Sequence, residues 1–107
     1  MENNDQQKKE TYAYGFWKVK QGKAEEFICE WLTFANWTSK NIPGSGKAYL
    51  MKDKNDPLRF ISCGAWNDDN SVQKWHISDE FKYFLKSARE LCEDFQSDIL
   101  KVVVKTD

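Results

Sequence analysis

The chain has 107 residues, with 16 basic and 17 acidic side chains, one histidine and three cysteines. That length specifies one domain with a modest core of its own. No basic run exceeds Lys8-Lys9, so the electrostatic footprint of a nucleic-acid binder is missing, and no apolar stretch approaches the roughly 18 residues of a membrane span.

Residues 1–10, MENNDQQKKE, contain no apolar run of the signal-peptide type. They read as a disordered tail ahead of a single domain over 11–107, and a cytoplasmic location is expected. Residues 12–19, YAYGFWKV, read as a strand ending at Gln21-Gly22. Tyr12, Tyr14 and Phe16 share one face and Ala13, Trp17 and Val19 the other. A strand apolar on both faces is expected to be covered on both.

Ala24, Phe27, Ile28, Trp31 and Ala35 recur at helical spacing, with Leu32 and Phe34 widening the stripe, which predicts a helix over 23–40. Glu25 and Glu26 suit its positive end. Asn41 to Gly46, NIPGSG, stops it. Strands follow at 47–52 and 58–66, joined through Asp53 to Pro57 as a hairpin. Asn67-Asp68-Asp69-Asn70 breaks the second of them and can cap a short helix at 71–76. Ser78 is the next N-cap candidate. Phe81, Phe84, Leu85, Ala88, Leu91, Cys92 and Phe95 then trace one face of a long helix. Residues 98–104, DILKVVV, read as the last strand.

The order β-α-β-β-α-β predicts an α+β, ferredoxin-like domain, a four-stranded antiparallel sheet with helices on one face. The uncovered face would then expose alternate residues of every strand, including the first strand's aromatics. Monomers rarely tolerate such a patch, so a homodimer closed through the open sheet face is expected.

The three cysteines, Cys29, Cys63 and Cys92, are far apart and form no C-x-x-C. Each sits at an apolar position of its segment, and buried reduced thiols are expected rather than a disulfide or nucleophile. One histidine rules out a histidine-rich metal site, and no metal is expected. Gly44-Ser45-Gly46 lacks the spacing of a phosphate loop and reads as a connector. His76 is either a general base or a plain helix-end residue. Trp75 either stacks on a ligand or plugs the core beneath the second helix. Trp66 at its strand end and Trp31 on the helical stripe read mainly as packing residues, and Trp37 lies off that stripe.

Residues 60–81, FISCGAWNDDNSVQKWHISDEF, carry further information. Together with Lys20-Gln21-Gly22-Lys23, Ile42-Pro43-Gly44 and the Asp56-Pro57 hairpin, they resemble the antibiotic-biosynthesis-monooxygenase-like proteins, small dimeric α+β barrels. The resemblance covers roughly residues 12–104. Its haem-degrading branch places an asparagine where Gly15 stands, a tryptophan at Trp75 and a histidine at Leu85, so only the tryptophan is shared and no haem is expected. Its quinol-oxidising branch works without metal or flavin. That resemblance implies a cofactor-independent monooxygenase acting on a small aromatic compound of quinol type. Trp75 would be the pocket tryptophan, and His76 or Tyr49 the proton acceptor. Gly15 would leave floor space, with Trp17, Trp31, Trp66 and Leu85 lining the walls. The alternatives are a non-catalytic homodimer binding a small hydrophobic metabolite, and a structural or stress-related protein without a ligand.

Overall fold

Two-residue alternation along the strands and 3.6-residue periodicity in the helices sort the apolar side chains onto one buried layer. The computed structural model describes residues 10–106. Strand β1 (Thr11–Val19) leads through a turn into helix α1 (Ala24–Asn41). The hairpin β2 (Ser45–Lys52) and β3 (Arg59–Trp66) follows, then a short helix α2 (Asp69–His76), helix α3 (Asp79–Leu91) and strand β4 (Cys92–Lys101). The sheet order is β2-β3-β1-β4, and all pairs are antiparallel. This is the ferredoxin-like α+β arrangement that the element order predicts. The expected disordered tail falls on residues 1–9, outside the described residues, apart from Glu10, whose carbonyl accepts from Val102 N–H.

The core lies between the helices and one sheet face, where Trp17, Val19, Phe27, Phe34, Phe60, Phe84, Ala88, Leu91 and Cys92 cluster. Trp17 is its hub. Its ring centre lies 5.4 Å from Phe27, 5.7 Å from Phe84 and 5.3 Å from Phe95, separations that favour tilted and edge contacts between aromatic quadrupoles.

Local chemistry sets the element ends. Asp53 turns the hairpin by accepting from the N–H groups of Asn55 and Asp56 and from the Arg59 guanidinium at 2.6 Å. The Asn55 N–H first, then Arg59, hold its carboxyl below the usual carboxylate range. Asp68 caps α2 through Ser71 N–H at 2.8 Å, and Ser78 caps α3 through Phe81 N–H at 3.1 Å. The Ser78 hydroxyl also donates to the Trp75 carbonyl at 2.7 Å, which locks the end of α2 to the start of α3. Gly44 has φ +98°, and a Cβ there would collide with the Ser71 hydroxyl. Its bare backbone lets the exit of α1 pack against α2.

Four expectations need correction. The long helix ends at Leu91 rather than Phe95, because Cys92 pairs with Val19 and Phe95 with Trp17. Ladder bonds and the Trp17 contact outweigh the helical spacing of two residues. The last strand closes at Lys101, opposite the start of β1 at Thr11, and Val103 and Val104 are exposed. Of the cysteines only Cys92 is buried, while Cys63 is half-buried and Cys29 exposed. Burial pushes the Cys92 thiol up to about 11. On α1, Ile28 and Leu32 are exposed although they fit the apolar stripe, because the sheet receives the Phe27–Phe34–Thr38 face.

The second sheet face carries no helix. Tyr12, Tyr14 and Phe16 form a row along β1 with ring centres 6.3 Å apart at each step. Tyr49 and Met51 of β2, Phe16 of β1 and Leu100 of β4 are exposed large apolar residues. No helix among the described residues is long and apolar enough to cross a membrane.

Candidate functional site

Between α1, α2, α3 and the covered sheet face the core does not close. β1 and β3 form the floor of a cavity there, and the three helices form its walls. Its lining includes Gly15, Trp17, Ser62 and Trp66 from the sheet, Trp31, Phe34 and Thr38 from α1, Trp75 and His76 from α2, and Phe81 and Leu85 from α3. The exposed lining residues, Ser97 and Ile99 of β4 among them, mark its mouth. The cavity volume is about 90 Å³. An engineered apolar cavity of roughly 150 Å³ takes up benzene. One aromatic ring is therefore the most this space is scaled for, and anything larger must extend through the mouth.

The α2 helix exists to present two rings to this space. Its cap at Asp68 and its clamp at Ser78 hold eight residues in place, and Val72 anchors them in the core. Trp75 then lies 5.0 Å from Trp66, 5.6 Å from Phe34 and 4.8 Å from Phe81, centre to centre. Its indole N–H donates to the Thr38 hydroxyl at 3.0 Å. Trp75 is thus held by core aromatics and still faces the cavity.

His76 stacks on Trp75 at 5.3 Å and meets Phe81 edge-on at 4.8 Å. Neither ring nitrogen is hydrogen-bonded among the described residues. Burial holds its pKa below the ordinary histidine value of 6.5, because a low-dielectric setting disfavours the charged form. The neutral form of the imidazole is therefore favoured, and that form can accept a proton.

Seven of the eight residues singled out from the sequence line this one cavity: Trp75, His76, Gly15, Trp17, Trp31, Trp66 and Leu85. Tyr49 does not. It pairs with Cys63 on the open face and is 56% exposed, so it cannot reach a proton in the cavity of its own chain. The floor space expected above Gly15 is also taken. A Cβ there would lie 2.6 Å from the Trp17 indole, which lies across the glycine and donates to Ser62 Oγ at 3.0 Å. Gly15 thus seats Trp17 rather than a ligand. Gly15→Ala is expected to destabilise the fold by about 1–3 kcal/mol through overpacking. Urea unfolding checks this, and an unchanged midpoint would show that Trp17 can lie elsewhere.

The sequence reading missed Ser62, Thr38, Phe34 and Phe81. Ser62 and Thr38 had a signal, because each is a polar residue at a core-facing position of its element. Asn70 is exposed, and Asn67 is half-buried with its Oδ1 buried and unpartnered, but neither lines the cavity. Among the described residues no three His, Cys, Asp or Glu side chains gather as a metal site.

The family model described as antibiotic biosynthesis monooxygenase matches residues 12–87. No curated protein matches the chain in sequence. Among solved structures, the chain is similar to SnoaB, a cofactor-independent oxygenase from Streptomyces nogalater, with TM-score 0.82 and 14% identity over 91% of this chain and 96% of that one. A conserved protein from Methanosarcina mazei superposes with TM-score 0.80 at 17% identity, over 91% and 96% of the two chains. A Shewanella oneidensis protein does so with TM-score 0.75 at 20% identity, over 84% and 87%. At these identities the structural likeness speaks for the fold alone.

Proposed function

This chain belongs to the antibiotic biosynthesis monooxygenase family, and from that premise we propose that it is a cofactor-independent monooxygenase acting on a single-ring aromatic of quinol type. The observation that carries the reading is the His76 imidazole, without a hydrogen-bond partner among the described residues, stacked beside Trp75 in an aromatic cavity of at most one-ring scale. A hydroquinone needs no separate reductant. Hydroquinone plus O2 gives a hydroxylated quinone plus water, so one oxygen atom enters the ring and all four electrons come from the substrate. His76 takes the phenolic proton, which makes the ring electron-rich enough to react with O2. Trp75, Trp66 and Phe81 hold the ring and exclude water.

The cavity favours a ligand-binding role over a purely structural one, and an imidazole facing it favours catalysis over binding alone. We also propose that two copies pair through the open sheet face, since Tyr49, Met51, Phe16 and Leu100 form an apolar patch that water disfavours. Three free thiols fit a reducing, cytoplasmic setting.

The test is oxygen uptake by the purified protein with a panel of single-ring hydroquinones, alongside Trp75→Ala. Saturable uptake in the wild type, reduced at least about a hundredfold in the variant, is expected when ring positioning is lost. Uptake no faster than the uncatalysed rate across the panel would overturn the reading and leave the binder.

A further inference from the structure

Two tryptophans flank the cavity, and each spends its only polar group on a buried hydroxyl. Trp17 Nε1 donates to Ser62 Oγ at 3.0 Å, and Trp75 Nε1 donates to Thr38 Oγ1 at 3.0 Å. An indole N–H can only donate, so each hydroxyl is fixed as an acceptor in that bond. A hydroxyl also carries one proton of its own. Among the described residues neither Ser62 nor Thr38 has an acceptor for it. Both residues are 8% exposed and both line the cavity, Ser62 on the sheet floor and Thr38 on the α1 wall. Each hydroxyl is satisfied as an acceptor and keeps an unused donor, and a buried donor left unmade costs free energy. Apart from them, the surrounding surface is mostly aromatic rings and small apolar groups.

We propose that Ser62 and Thr38 are the specificity-determining donors of this cavity, and that its ligand is a small aromatic carrying an oxygen acceptor, a carbonyl or a phenolate. The proposal deepens the oxygenase reading and rests on its choice of site. The tryptophans act as positioning residues: by occupying one lone pair of each hydroxyl, they turn its proton toward the ligand. A ligand oxygen that gains negative charge as His76 takes a proton is held better than a neutral one, because charge-assisted bonds are stronger. An apolar ring of the same shape leaves both donors empty.

The test is binding without oxygen, measured by calorimetry with benzaldehyde and with styrene, which share a shape and differ in a carbonyl oxygen in place of a terminal methylene. In water-to-oil transfer the carbonyl is the worse guest, so a cavity without donors favours styrene. The wild type is expected to bind benzaldehyde about tenfold more tightly, the gain of one satisfied hydrogen bond. Ser62→Ala and Thr38→Val are each expected to weaken benzaldehyde binding and leave styrene unchanged. Equal or tighter binding of styrene by the wild type would overturn the proposal, whether or not the variants fold. So would an undiminished benzaldehyde preference in the folded double variant. Selective binding with no oxygen uptake would sink only the oxygenase reading, and uptake without the selectivity would sink only this one.

Discussion

Trp17→Ala is expected to lower the thermal midpoint by about 15–30 °C, or to leave the domain unfolded at room temperature. The residue is 5% exposed and packs on Phe27, Phe84 and Phe95. It also ties β1 to β3 through Ser62. Truncating a buried tryptophan costs about 3–5 kcal/mol, against the roughly 5–15 kcal/mol that holds a whole domain. Each kcal/mol moves the midpoint of a domain this size by about 4–8 °C. The measurement is circular dichroism melting at a fixed protein concentration, because a dimer melts according to its concentration. A shift under about 5 °C would mean that the surrounding rings collapse into the gap and that Trp17 is not the hub.

His76→Ala is expected to slow oxygen consumption by about a hundredfold to ten-thousandfold, the usual worth of a positioned general base. Burial lowers the imidazole's pKa, so proton transfer to it from an ordinary phenol is uphill. The donors at Ser62 and Thr38 would offset part of that cost by stabilising the phenolate. The pH profile adds a second readout. The neutral imidazole is the active form, so kcat/KM is expected to hold near pH 7 and to fall as pH drops below 6.5 through the lowered pKa. That acid limb should be absent in the variant. Stability follows the same sign, since the unfolded chain binds this proton more readily than the folded one. The contribution is fully present above pH 6.5 and is lost as pH falls below it. A variant with the wild-type rate and acid limb would move the base elsewhere.

Much of the site was legible because tryptophan and histidine are scarce and chemically specific, and Trp75-His76 stand beside a strong cap at Ser78. Tyr49 was misplaced for a definite reason. In KAYLMK both faces of the strand are apolar, Ala48 and Leu50 on one and Tyr49 and Met51 on the other, so alternation cannot say which faces the helices. Register decides it, and a one-residue slip exchanges the two sets. The observed pairing of Tyr49 with Cys63, and of Cys63 with Tyr14, places that row on the open face. The end of α3 was misread because Cys92 and Phe95 satisfy helical spacing and strand pairing alike.

The sequence by itself determined the order of elements, their ends as far as the start of the last helix, the uncovered apolar sheet face and the rings near the candidate site, because periodicity, caps and turn residues act over a few neighbouring positions. Only the tertiary structure decided that Trp17 lies over Gly15 and that each indole holds a hydroxyl. Trp17 and Ser62 are 45 residues apart and Trp75 and Thr38 are 37. Such bonds form only when sheet and helices have packed, and no local pattern in the chain records them.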